Sequence, residues 1–96
     1  MLTWIVYDIE ENADRTKVAK ACQKAGIYRV QKSVFLGELN NAQRKELSLK
    51  IENLINPDKD SVYIFPMNRE EFDQCLLLGQ AFDKELVSDE IKALFL

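Results

Sequence analysis

Residues 2–8, Leu-Thr-Trp-Ile-Val-Tyr-Asp, are apolar on both alternating faces, the pattern of a central strand covered on one side and contacted on the other. An acid, Asp8, ends the run. Asn12 then reads as an N-cap, Val18, Ala21, Cys22 and Ala25 recur at helical spacing, and Gly26 stands where a C′ residue belongs, which predicts a helix over about 13–25.

The next segment, YRVQKSVFLGEL at 28–39, alternates again. Tyr28, Val30, Val34 and Leu36 form an apolar even face, while Arg29, Gln31, Ser33 and Phe35 form a mainly polar odd face bearing one aromatic. Lys32 interrupts the even face, which leaves two solutions open: one strand bent or bulged near Gln31 and Lys32, or a very tight hairpin. Asn40 or Asn41 caps a second helix, with Gln43 at capping-box distance from Asn40, a stripe of Leu47, Ile51, Leu54 and Ile55, and a stop at Asn56-Pro57-Asp58. SVYIFP at 61–66 is a further strand, apolar on both faces. Asn68 with Glu71 makes another capping box and Met67 with Phe72 a hydrophobic staple, so a short third helix starts there. Leu76 to Gln80 is a candidate last strand, and Ser88 a candidate cap for a terminal helical segment within an apolar tail, 81–96.

This order predicts one α+β domain over 1–96, a ferredoxin-like sandwich with helices on one face of an antiparallel sheet, its core in 1–80. The other sheet face, with Trp4, Val6, Val62 and Phe65, is then left bare. It is expected to pack on a second copy as a two-fold homodimer, and the apolar tail to pack across the dimer or onto a partner.

Composition narrows the chemistry. The 96 residues are 47% hydrophobic and 30% charged, and contain no histidine, which removes Ser-His-Asp and Cys-His nucleophiles and histidine-ligated zinc together. Cys22 and Cys75 make neither a disulfide framework nor a zinc pattern and are expected as buried reduced thiols. No apolar run approaches the roughly 18 residues of a membrane span, and no basic segment of a secretory signal opens the chain, which points to the cytoplasm. The net charge of −3 is unevenly distributed, with six Lys/Arg against four acids in residues 1–35 and seven against twelve in the remainder. The basic N-terminal part could meet phosphates, and Lys17, Lys20 and Lys24 lie along one side of the first helix. No glycine-rich loop or convergent polar pocket is legible.

IVYDI at 5–9, Arg15 and Lys17 in the first helix, Gly26, RVQKSVFLGEL at 29–39 and DSVYIFP at 60–66 together resemble the CRISPR-associated protein 2 family over about the first 80 residues. The resemblance implies a homodimeric ferredoxin-like subunit of CRISPR adaptation, binding duplex DNA and bridging dimers of the CRISPR-associated integrase during spacer acquisition. It also implies a competing role as a Mg²⁺-dependent endonuclease on single-stranded RNA or DNA. A histidine-free phosphodiesterase needs a hard cation, and Asp8 is the metal-site and catalytic candidate, completed by a second Asp8 across a two-fold axis; otherwise it ends its strand and accepts backbone hydrogen bonds in the next turn. Tyr7 is a second catalytic candidate. Arg15, Lys17, Arg29, Ser33 and Phe35 are the nucleic-acid candidates, the arginines for phosphate and Phe35 for stacking on a base. An alternative is a toxin-like RNA endonuclease similar to virulence-associated protein D.

Overall fold

The computed structural model describes residues 1–79, so the expectations for Gln80 and for 81–96 fall outside the described residues. Seven elements follow in order: β1 (Leu2–Asp8), α1 (Asn12–Lys24), β2 (Tyr28–Gln31), β3 (Val34–Glu38), α2 (Asn41–Glu52), β4 (Ser61–Met67) and α3 (Arg69–Asp73). The four strands form one antiparallel sheet in the order β2-β3-β1-β4. This is the βαββαβ arrangement expected of a ferredoxin-like α+β fold.

The predicted punctuation acts locally. Ile27 N–H donates to the Cys22 carbonyl and Gly26 N–H to that of Gln23, a Schellman ending that needs Gly26 at φ +85°. Asn40, rather than Asn41, caps α2, and both capping boxes are reciprocal, Asn40 with Gln43 and Asn68 with Glu71. At α1 the expectation shifts by one residue: Glu11 occupies the cap position with no side-chain cap bond, and Asn12 is already helical. Both solutions left open for 28–39 are present at once. Lys32 and Ser33 turn a tight hairpin, and the β2–β3 register slips between Arg29 and Gln31.

β1 is the centre of the fold because it pairs on both sides, with β3 (Ile5 opposite Phe35) and with β4 (Ile5 opposite Ile64). Its odd residues, with Phe35 and Ile64, face α1 and α2 in the main core, which also holds Val18, Cys22, Leu47 and Ile51. Its even residues face the other way, where Leu2, Trp4, Leu36 and Phe72 make a second cluster.

Four expectations change here. The helices are not all on one face: Phe72 of α3 sits on the even face, its ring 6.0 Å from that of Trp4, and roofs one end of it. Val62 does not share a face with Trp4, because the register sets Phe65 opposite Trp4 and Tyr63 opposite Val6; Val62 packs toward the helices instead, and Tyr63 takes its place on the bare face. Leu76–Gly79 has no strand structure, which removes the expected last strand as far as the chain is described. Cys75 is half-buried rather than buried, whereas Cys22 is fully enclosed and its thiol is pushed up to about 12 by burial, against the opposing charge of Arg29.

Candidate nucleic-acid and metal site

The residues singled out in the sequence separate into three places. Asp8 ends β1, opposite Ser61 of β4, and is exposed. Strand alternation puts it on the even face with Trp4 and Val6, beside the exposed Tyr63 and Phe65. It does not organise the turn that follows. That work falls to Asp60, whose carboxylate accepts the backbone N–H of Glu10 at 3.0 Å and that of Asn56 at 2.9 Å, holding its carboxyl below the usual carboxylate range. Asp8 is an exposed carboxylate at the rim of an apolar sheet face.

Tyr7 points to the opposite side. Its ring is buried and lies 6.4 Å from that of Phe35 in a stacked arrangement, and its N–H donates to the Ser33 carbonyl at 3.0 Å. Together with Asn12, Arg15, Thr16, Arg29, Lys32 and Ser33 it lines a cavity of about 460 Å³ where the end of β1, the first turn of α1 and the β2–β3 turn meet. Three cations line this cavity and no acid does. This is the convergent polar pocket that the sequence did not reveal, since its walls come from three segments. Asn12, Thr16 and Lys32 were missed as members; the break that Lys32 makes in the even face of 28–39 was the available signal.

The two arginines are held in place rather than loose. Arg15 Nη1 donates to the Ile9 carbonyl at 3.2 Å, and the Arg29 guanidinium lies 5.2 Å from the Phe35 ring centroid. Phe35 itself is fully buried, with Tyr7 stacked against its ring and Arg29 over it. In this fold its ring has no free face for a base, so its place is beneath Arg29, as a support. The physical reason is the register, which turns the odd residues of β3 inward.

Lys17 belongs to neither place. It is exposed on α1 and lines a groove between the two long helices with Lys20, Lys24 and Lys50.

Among the described residues no group of three or more Cys, Asp or Glu could hold a metal ion. Asp8, the metal candidate read from the sequence, is one carboxylate per chain, which suits Mg²⁺ only if waters, a phosphate or a second copy complete the shell.

Comparison with known proteins matches residues 1–75 to the family of CRISPR associated protein Cas2. The chain is 39% identical over 67 residues to the CRISPR-associated endoribonuclease Cas2 1 of Archaeoglobus fulgidus, covering 70% of this chain and 71% of that one. It is 33% identical over 76 residues to a CRISPR-associated endonuclease Cas1/endonuclease Cas2 fusion of Thermoproteus tenax, covering 79% of this chain and 29% of the fusion. Among solved structures, a hypothetical protein from Thermus thermophilus is similar with a TM-score of 0.71 and 29% identity, over 83% of this chain and 92% of that one.

Proposed function

Because the chain belongs to the CRISPR associated protein Cas2 family, we propose that it acts as a homodimeric adaptation subunit that binds nucleic acid and carries, at Asp8, half of a Mg²⁺-dependent endonuclease site. One observation carries this: an exposed carboxylate, Asp8, stands at the end of β1 on the same sheet face as Trp4, Val6, Tyr63 and Phe65. Tyr63 and Phe65 are 62% and 40% exposed, large apolar area that a second copy would remove from water. Such a packing brings two copies of Asp8 toward one axis. A Mg²⁺ held there would polarise a phosphodiester and lower the pKa of a bound water.

The chain's own residues supply the rest. Arg15, Arg29 and Lys32 attract the phosphate backbone, Arg15 and Arg29 from fixed positions, and Ser33, Asn12 and Thr16 offer hydrogen bonds within the same pocket. Tyr7, enclosed behind them, shapes the pocket floor. Since Tyr7 and Asp8 alternate across β1, a phosphate in this pocket lies on the opposite side of the strand from the one at Asp8 and serves as an anchor next to it. The names of the relatives support an endoribonuclease activity, and the fused relative supports Cas1, the integrase, as partner.

The test is Asp8→Asn, assayed for Mg²⁺-dependent cleavage of single-stranded RNA and DNA and for spacer acquisition in cells. Loss of cleavage with retained folding is expected, and retained acquisition would assign the bridging role to the scaffold alone. A variant that cleaves as fast as wild type would exclude the metal role of Asp8.

A further inference from the structure

The pocket between the end of β1, the first turn of α1 and the β2–β3 turn gathers more positive charge than one internal phosphate of a strand can neutralise. Arg15, Arg29 and Lys32 line it, while Asp8, Glu11 and Asp14, though close in sequence, lie outside the lining. Among the described residues none of these three cations is ion-paired. Arg15 commits one N–H to the Ile9 carbonyl and Arg29 is braced over the Phe35 ring, so both forks keep donors for a ligand. Tyr7 is a second, independent sign. It is only 5% exposed, it lines the cavity, and no described residue hydrogen-bonds its hydroxyl. Burying a polar group unpaired is costly, so the bonding capacity of this hydroxyl is met by what enters the pocket. Ser33 and Asn12 add a hydroxyl and an amide to the same walls.

We infer that this pocket is a receptor for the phosphomonoester of a nucleotide, presented by the phosphorylated end of a single strand or by a free nucleoside monophosphate. Charge and shape separate this ligand from a backbone phosphate. An internal phosphodiester carries a single negative charge and has a sugar on either side, whereas a monoester carries about −1.5 to −2 at pH 7 and presents three acceptor oxygens. Three unpaired cations and a free hydroxyl match the monoester. Walls from three segments admit such a group head-on, while an internal phosphate would have to bring both flanking sugars inside. The volume of about 460 Å³ falls within the roughly 300–1,000 Å³ of small-molecule sites, so a sugar can follow the phosphate. For the strand-end source the inference rests on the nucleic-acid reading above, and it narrows the anchor beside Asp8 to a terminus.

The experiment combines fluorescence anisotropy of an internally labelled single-stranded decamer, carrying a 5′-phosphate, a 3′-phosphate or neither, with calorimetric titration of adenosine monophosphate against adenosine. The proteins are wild type, Arg29→Gln/Lys32→Gln, Tyr7→Phe and Lys45→Gln/Lys59→Gln, the last pair being exposed lysines outside the pocket that control for net charge. Wild type should prefer the phosphorylated ligand over its bare counterpart by about thirtyfold, as charge-assisted hydrogen bonds confer. Tyr7→Phe keeps the ring and should lower that preference about fivefold, Arg29→Gln/Lys32→Gln should abolish it, and the control pair should leave it unchanged. Preference at a decamer end identifies the strand end as the source; discrimination of the monophosphate alone identifies the free nucleotide. Equal binding of the three decamers together with a monophosphate no tighter than adenosine overturns the pocket while leaving the nucleic-acid reading in place. So does a preference kept by Arg29→Gln/Lys32→Gln or lost equally in the control pair. Monophosphate binding without binding of any decamer keeps the pocket and overturns that reading, and absence of all binding overturns both. Because each preference is a ratio measured on one protein, a variant that folds less well lowers both affinities together and the ratio still reports the pocket.

Discussion

The Asp60 carboxylate accepts the backbone N–H of Glu10 across fifty residues of sequence, and with its other oxygen that of Asn56. It clamps the loop after β1 to the turn before β4, on either side of the Asp8–Ser61 pair. Both bonds favour the charged form and hold the Asp60 pKa below its ordinary 3.8. A depressed carboxylate contributes stability that is present above the unfolded value and lost as pH falls through the folded one. Asp60→Asn should therefore melt below wild type at pH 7, and the gap should close from about pH 3.8 downward; a gap that stays constant to pH 2 would refute the clamp.

The bare sheet face predicts oligomeric state. Phe65 stacks 6.3 Å from Trp4 at the centre of that face, and Phe65→Glu would place a charge inside the proposed two-fold contact. Sedimentation should give a dimer for wild type and a monomer for the variant. A wild-type monomer at micromolar concentration would remove the shared Asp8 site with it.

Phe35 separates structure from binding. Its ring is fully buried beneath Arg29 and against Tyr7, so Phe35→Ala should cost about 3–5 kcal/mol in urea unfolding and weaken nucleic-acid binding only through the displaced Arg29. Phe35→Leu should recover most of the stability. A stable Phe35→Ala protein that no longer binds would instead restore the ring as a direct contact.

Gly37 marks a close approach. A Cβ there would stand 2.5 Å from Ile27 Cγ2 and 2.9 Å from its Cα, so side-chain rotation alone cannot make room. Gly37→Ala should destabilise by about 1–3 kcal/mol, read from the urea midpoint.

The two thiols should differ in reactivity. Burial pushes Cys22 to about 12, so it stays protonated and shielded at pH 8, whereas Cys75 is partly accessible. Iodoacetamide should add one label to the native protein, at Cys75, and two after urea; early labelling of Cys22 would show that the α1 core opens readily.

The candidate site was only partly legible beforehand. Asp8 stood out by its position at a strand end and Tyr7 beside it, Arg15 and Arg29 through the family resemblance, yet Asp8 and Tyr7 lie on opposite sides of one strand and Lys17 in a separate groove. Asp60 gave no sign of its bond to Glu10, because a hydrogen bond across fifty residues leaves no local pattern.

Sequence by itself determined the seven elements in outline and several of their ends, since alternation in 2–8, the Asn40–Gln43 and Asn68–Glu71 boxes and Gly26 all act within a few residues of chain. Tertiary structure alone decided which face each strand residue serves. A one-residue change in pairing register exchanges the two sides of a strand. That register sent Val62 and Phe35 inward and left Tyr63, Phe65 and Asp8 on the open face.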